Sequence, residues 1–150
     1  MSIVVRKAEE KDLLSLQRLV AKAGLREDGI EQHIDRFLVV CDEDSKIIGT
    51  VGIEKYEEDG LLRSLVLDSP VWTARLSLEF LQLALTYAKE QDIETIYLCS
   101  KGTNSLFHQL GFRHVHEKNV PEKIRMSPHF QKNMKVETKV WACSLLDVDN

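Results

Sequence analysis

The spacing of hydrophobic positions changes twice in the first third of the chain. Residues 3–7 alternate along a β-branched run, which predicts a strand. From Leu13 to Ala23 the apolar residues then recur at helical spacing, and Gly24 ends that segment. A second, short helix is predicted over residues 28–34. The N-terminal part therefore predicts one strand followed by two helices.

The middle of the chain predicts a meander of strands and then one long helix. Strands are predicted over residues 36–41, 46–56 and 61–67, separated by polar turns at 42–45 and 57–60. Residues 73–91 form the longest helical pattern, and it is apolar around most of its circumference. A helix of that kind is expected to be buried on more than one face.

The remaining pattern predicts a strand at 95–99, a short helix at 104–110, and strands at 112–116 and 136–144, the last two joined by a long polar loop. Strand 61–67, helix 73–91 and strand 95–99 should form a right-handed crossover between parallel strands. The predicted order is β-α-α-β-β-β-α-β-α-β-β. Because no repeat or linker interrupts it, residues 1–150 are predicted to form one domain.

Composition excludes several classes of protein. The net charge is -4 and 43% of the residues are hydrophobic, so a basic surface for nucleic acid is not expected. Neither a signal peptide nor a membrane span is evident. Cys41, Cys99 and Cys143 are far apart and lie in apolar runs, which favours reduced thiols and a cytoplasmic protein.

Two segments carry a family resemblance that extends over nearly the whole chain. Residues 61–67 read Leu-Leu-Arg-Ser-Leu-Val-Leu before Pro70 and the long helix, and residues 104–112 run from Asn104 to a Gly-Phe pair. Together with the element order, they resemble the GNAT superfamily of acyl-CoA-dependent N-acyltransferases. The loop at 120–125 makes the chain similar to the N-acetylglutamate synthase-like, arsenic-resistance-associated branch.

The resemblance implies an α/β (α+β) fold with a mixed, mainly antiparallel sheet of about seven strands flanked by helices. It also implies an N-acetyltransferase with acetyl-CoA as co-substrate and no metal. The acetyl group would pass by direct attack to the amine of a small molecule or amino acid. Two alternatives stay open: a GNAT-like binding or regulatory domain with little catalysis, and a scaffold domain without cofactor. Pairing of edge strands into a homodimer is compatible with such a fold.

The family resemblance implies that the backbone of Leu65, Val66 and Leu67 pairs with the pantetheine arm and polarises the thioester carbonyl. The side chains of Leu65 and Leu67 are interpreted as core residues. In the second segment, Asn104 and Phe107 are the implied cofactor contacts. Phe107 stands where many members carry a tyrosine, and it is expected to pack against either the pantetheine or the core.

The pyrophosphate loop departs from the family pattern, because residues 72–77 contain no glycine. Glycine lets backbone N–H groups approach a phosphate closely. Here hydroxyl groups and the Arg75 guanidinium would have to substitute for that approach. The alternative is an ordinary helix start capped by Ser69 or Thr73. The implied pyrophosphate contacts are Thr73, Ala74, Arg75, Leu76 and Ser77.

Catalytic groups are less evident in the sequence. Glu54 is the candidate general base, acting through a water, although a charged residue on a half-exposed strand is more often just solvated. Arg63 would hold a carboxylate of the acceptor or make an ion pair. Cys99 is interpreted as either a nucleophile or an inert core residue, the second being favoured.

The remaining histidines and the late loop carry weaker signals. His114 and His116 lie two apart on one strand face, which resembles metal-ligand spacing, but they are interpreted as a polar surface. His33 and His129 carry no signal. Basic residues between 117 and 135 favour an anionic small acceptor, or are simply a solvated charge run.

Overall fold

The structure, a computed structural model, describes residues 3–25, 29–67, 73–101, 105–135 and 137–146. The strands in this part of the chain are β1 (Val4–Lys7), β2 (Phe37–Cys41), β3 (Ile47–Tyr56), β4 (Asp59–Leu67), β5 (Thr95–Lys101), β6 (Arg113–Val115) and β7 (Thr138–Ser144). The α-helices are α1 (Leu13–Lys22), α2 (Ala74–Glu90), α3 (Ser105–Gln109), α4 (Glu122–Arg125) and α5 (Pro128–Asn133).

The strands form a seven-stranded sheet in the order β1-β2-β3-β4-β5-β7-β6. Antiparallel pairing joins β1 to β2, β2 to β3, β5 to β7 and β6 to β7, whereas β4 and β5 are parallel. The predicted mixed, mainly antiparallel sheet is therefore confirmed. So is the parallel relation of the two strands on either side of the long helix.

The chain divides into two compact units. The first unit comprises residues 1–53 and 64–80, and the second comprises residues 54–63 and 81–150. In the first unit, α1 and β2 bury an apolar cluster that includes Leu16, Val20, Phe37 and Val66. Gly52 is required here because a Cβ at this position would lie 2.7 Å from the Phe37 ring. The single-domain assignment for residues 1–150 stays a prediction.

The second unit has its own apolar cluster, which corrects one prediction. Residues 117–135 were expected to be a long polar loop, but they contain a 3₁₀ turn at Glu117–Asn119 followed by α4 and α5. The helices form because Ile124 and Phe130 are buried with Leu61 and Val140. Ser127 accepts a hydrogen bond from the Phe130 amide and so caps α5.

Two other expectations about helices were wrong. Residues 29–32 are turns and a 3₁₀ helix covers only Ile34–Arg36, so the helix predicted over 28–34 is not found in its described part. Gly29 has a φ of 84°, which an α-helix does not accommodate. In the long helix, Leu83 is 51% exposed while Leu81 and Ala84 are buried, so that α2 buries one face only.

Candidate active site

Neighbouring strands β3 and β4 bring three polar side chains of the second unit together. Glu54 and Tyr56 lie two residues apart on β3 and so share one face of the strand. The Tyr56 hydroxyl donates to Glu54 Oε1 at 2.6 Å, and Arg63 of β4 donates from Nη1 to Glu54 Oε2 at 3.2 Å. Each oxygen of the carboxylate therefore has a different donor. We call Glu54, Tyr56 and Arg63 the carboxylate site.

The carboxylate site is buried, which overturns the expectation of a solvated Glu54. Glu54 is 8% exposed and Arg63 is 7% exposed. Taking a carboxylate and a guanidinium out of water is costly unless they are paired and hydrogen-bonded. The pair satisfies that condition, and the sequence alone could not reveal it because it depends on the register of two strands. The ion-pair interpretation of Arg63 is confirmed, while its contact with an acceptor stays a prediction.

His129 on α5 lies close to this site, although the sequence carried no signal for it. Its pKa is lowered from the ordinary 6.5 to about 4, first by burial and then by the charge of Arg63, with Glu54 acting in the opposite direction. Asn133 Nδ2 donates to the His129 carbonyl at 2.7 Å and lies 3.2 Å from Nδ1. Because an amide nitrogen only donates, this contact suits the neutral tautomer in which Nδ1 accepts and Nε2 carries the proton.

The end of β4 belongs to the first unit and contains the residues predicted to contact pantetheine. Val66 is buried in the apolar cluster of that unit, whereas Leu65 and Leu67 are only partly buried. The interpretation of Leu65 and Leu67 as core side chains is therefore wrong. Of three consecutive apolar residues, the pleat buries the middle one. Ser64 precedes them at a φ of 56°, a left-handed conformation that is uncommon for a non-glycine residue.

The start of α2 is held by bonds within the helix. Thr73 Oγ1 accepts a hydrogen bond from the Leu76 amide at 3.1 Å, and the Thr73 carbonyl accepts from the Ser77 amide at 3.0 Å. Thr73 thus caps the helix, while Ser69 and Trp72 lie outside the described residues. The side chain of Arg75 is 87% exposed and pairs with Glu79 at 3.2 Å.

The backbone N–H groups of Ala74 and Arg75 have no hydrogen-bond partner among the described residues. The first N–H groups of a helix point outward and carry a partial positive charge, which suits a phosphate. The residues present at 73–77 therefore fit a pyrophosphate through two amides and one exposed guanidinium.

The second predicted cofactor segment is placed only in part. Asn104 lies outside the described residues, so its role stays a prediction. Phe107 is buried, with ring centroids 5.9 Å from Phe112 and 5.8 Å from Trp141. This aromatic packing corresponds to the core alternative for Phe107, and the cofactor contact of its side chain stays a prediction.

Cys99, His114 and His116 have environments that favour structural roles over chemical ones. Burial raises the pKa of the Cys99 thiol to about 12, which disfavours the thiolate that a nucleophile requires. His114 contacts Trp141 edge-on with ring centroids 5.9 Å apart, and His116 Nδ1 accepts from the Lys118 amide. In the part of the chain that the structure describes, no cluster of three or more His, Cys, Asp or Glu residues is arranged to hold a metal ion.

Two of the cations between 117 and 135 are engaged by the protein itself. Lys123 pairs with Glu57, and Arg125 Nε donates to the Val120 carbonyl at 3.0 Å. These two residues therefore do not support the expectation that the basic residues between 117 and 135 bind an anionic acceptor. Within the described ranges, no helix combines the length and the apolar character that crossing a bilayer requires.

Comparison with known proteins finds a family model and a relative that match this chain. Residues 7–112 match the model of the acetyltransferase (GNAT) family. The chain is 31% identical over 139 residues to the uncharacterized protein YwlB of Bacillus subtilis, covering 91% of this chain and 92% of that protein.

Two solved structures share the fold at low sequence identity. N-acetylglutamate synthase from Neisseria gonorrhoeae, complexed with coenzyme A and N-acetyl-glutamate, superposes with a TM-score of 0.82 at 17% identity over 98% of this chain. This chain spans only 36% of that synthase. Rv2747 from Mycobacterium tuberculosis, in complex with CoA, has a TM-score of 0.80 at 16% identity and is matched over 99% of its length by 95% of this chain.

Proposed function

This chain belongs to the GNAT family of acetyltransferases, and we propose that it transfers an acetyl group from acetyl-CoA to the amine of a small molecule or amino acid. The observation that carries the proposal is the Glu54 carboxylate, buried and oriented by donors on both of its oxygens. The CoA of both structural relatives and the N-acetyl-glutamate of one support this choice of donor and acceptor class.

The co-substrate would be held by the first unit. The backbone of Leu65, Val66 and Leu67 hydrogen-bonds to the pantetheine arm, and the N-terminal end of α2 binds the pyrophosphate. Ala74 and Arg75 donate from their amides, and the Arg75 guanidinium leaves Glu79 to add a charged fork. A backbone N–H aimed at the thioester oxygen stabilises the developing charge by about 3 to 4 kcal/mol.

Glu54 is the residue assigned to proton transfer. Acetyl-CoA supplies an activated acyl group whose thiol leaves readily, since free thiols have a pKa of about 8.5. The acceptor amine must lose a proton as it attacks, and Glu54 takes that proton through a water. Arg63 balances the charge of the carboxylate before it accepts the proton. General-base catalysis of this kind contributes about 10² to 10⁴ in rate.

A second function is favoured by the helix start itself. Thr73 and Arg75 both make bonds within α2, as in an ordinary capped helix. A GNAT-like binding or regulatory domain with weak or no catalysis would need no pyrophosphate grip at this point. Both functions suit a cytoplasmic protein, because Cys41, Cys99 and Cys143 are free thiols.

Thermal unfolding with and without acetyl-CoA separates cofactor binding from its absence. Saturation at a hundred times the dissociation constant should stabilise the fold by about 2.7 kcal/mol. Release of free thiol is then measured with a panel of amino acids and small primary amines. Stabilisation without thiol release would favour the binding domain, and no stabilisation at millimolar acetyl-CoA would exclude acetyl transfer.

Replacing Arg75 tests the pyrophosphate grip. The R75A variant should weaken acetyl-CoA binding at least tenfold, the factor expected for one lost charge-assisted bond of about 1.5 to 3 kcal/mol. R18A is the matched control, because Arg18 is likewise an exposed helical arginine of the first unit. Equal affinities of R75A and R18A would show that Arg75 only makes its surface ion pair.

A further inference from the structure

The proposed use of Glu54 as a base requires that the carboxylate be held in one orientation. Arg63 approaches one oxygen at 3.2 Å, a single and rather long bond, whereas the Tyr56 hydroxyl approaches the other at 2.6 Å. Bonds from O–H to a carboxylate in this range are short and charge-assisted. The shorter contact on Glu54 is therefore the one from Tyr56, a residue that the sequence analysis did not consider.

The ring of Tyr56 is itself fixed by packing. It lies partly buried against the apolar cluster of the second unit, which contains Leu61, Ile124 and Phe130. A tyrosine held in this way presents its hydroxyl at a defined point, with few rotamers to lose. Phe130 and His129 both belong to α5, so the same helix carries a packing partner of Tyr56 and the neighbouring histidine.

The charged and titratable groups around Glu54 in the second unit can be named element by element. Tyr56 lies on β3, Arg63 on β4 and His129 on α5. His129 is neutral above a pKa of about 4, so Arg63 is the cation that faces the carboxylate near neutral pH. The hydroxyl of Tyr56 adds a neutral donor whose removal leaves the formal charges of the site unchanged.

We propose that Tyr56 is the positioning residue of this enzyme, holding Glu54 Oε1 so that Glu54 receives the amine proton in one orientation. This inference rests on the proposed acetyl transfer and adds a residue to it. Tyr56 acts through Glu54 and makes no contact with the reacting atoms. A hydrogen bond to the charged form of a carboxylate favours that form, so loss of the Tyr56 hydroxyl should disfavour the charged form of Glu54.

The test is the Y56F variant, which deletes one oxygen and retains the packed ring. With the amine that the wild-type protein acetylates fastest, kcat should fall about tenfold, as for one lost hydrogen bond to a charged group. The KM for acetyl-CoA should not change. The acidic limb of the pH profile of kcat/KM should move to higher pH. Y97F is the matched control, because Tyr97 packs against the same apolar cluster.

A double-mutant cycle distinguishes positioning from a structural role. If Tyr56 acts through Glu54, then E54Q/Y56F should be no slower than E54Q. Should Y56F fail to fold, 3-fluorotyrosine, a stronger donor, is introduced at position 56 in a Y87F/Y97F background, and the acidic limb should then move to lower pH. Equal kcat and equal pH profiles for Y56F and Y97F would overturn the inference while acetyl transfer by the wild type still stands. A wild type without transfer would overturn both.

Discussion

Two arginine–carboxylate pairs in this chain differ in geometry, and the proposed function gives them different purposes. In the first unit, Arg6 grips both oxygens of Asp12 at 2.8 and 3.0 Å, and Asp12 also accepts from the Glu9 amide at 2.7 Å. These bonds fix the entry into α1. In the second unit, Arg63 makes one bond of 3.2 Å to Glu54. The forked, capping pair serves the fold, whereas the single bond from Arg63 to Glu54 suits the carboxylate that the proposed function uses as a base.

The largest contrast is expected in catalysis. E54Q keeps the shape of the side chain but removes the basic oxygen, so kcat should fall by about 10² to 10⁴. D12N makes the same chemical change in the pair of the first unit and should leave kcat unchanged. Steady-state thiol release, corrected for the folded fraction, measures both variants. A corrected kcat of E54Q equal to that of the wild type would mean that Glu54 contributes only to stability.

The next contrast concerns stability. R63M leaves the Glu54 charge buried without its partner, which should cost about 3 to 5 kcal/mol. R6M should cost about 1 to 3 kcal/mol, since the Arg6 side chain is 31% exposed and water can take the place of its guanidinium. Urea unfolding with a shared slope compares the two. If R6M proved the costlier variant, the capping role of Asp12 would outweigh the burial of Glu54.

The effect of pH on the free energy of unfolding should be smaller. The two units should lose stability in different pH ranges. The pKa of His129 is lowered to about 4, so the folded protein binds fewer protons than the unfolded chain below pH 6.5. Its contribution to stability is complete above pH 6.5 and declines as the pH falls towards about 4. The Arg6 guanidinium lowers the pKa of Asp12 below 3.8, so that contribution is lost only at lower pH.

The H129N variant tests this assignment, because asparagine does not titrate. Urea midpoints of wild type and variant, measured from pH 7 to pH 4.5, should converge as the pH falls. The control is H116N, whose histidine caps an exposed 3₁₀ turn. Parallel curves for wild type and H129N would show that burial next to Arg63 does not hold His129 neutral.

The smallest effect is expected at the exposed pair of α2. E79Q breaks the contact with Arg75, which is worth at most about 0.5 kcal/mol at a surface position four residues along a helix. Acetyl-CoA affinity should stay the same or rise slightly, because Arg75 is released. Isothermal titration measures this change. A clear loss of affinity in E79Q would mean that Glu79, rather than Arg75, orients the ligand.

Much of the fold could be predicted from local pattern, and much of the site could not. The strands, the turns and the long helix could be predicted because each follows from the spacing of apolar and polar residues within a short segment of the chain. The helices α4 and α5 were missed, because Ile124 and Phe130 need Leu61 and Val140 to pack against. Tyr56 had a usable signal, since it shares a strand face with Glu54, but its hydroxyl contact required the rotamer that packing selects.

The sequence by itself determined the order of the strands, the family and the absence of glycine at the α2 start, because each of these is a property of residues close along the chain. Only the tertiary structure decided that Glu54 is buried, that Arg63 and Tyr56 are its donors, and that His129 lies nearby. These contacts join β3, β4 and α5 of the second unit. Their energies depend on burial and on distances across the fold, and neither quantity can be read from spacing along one chain.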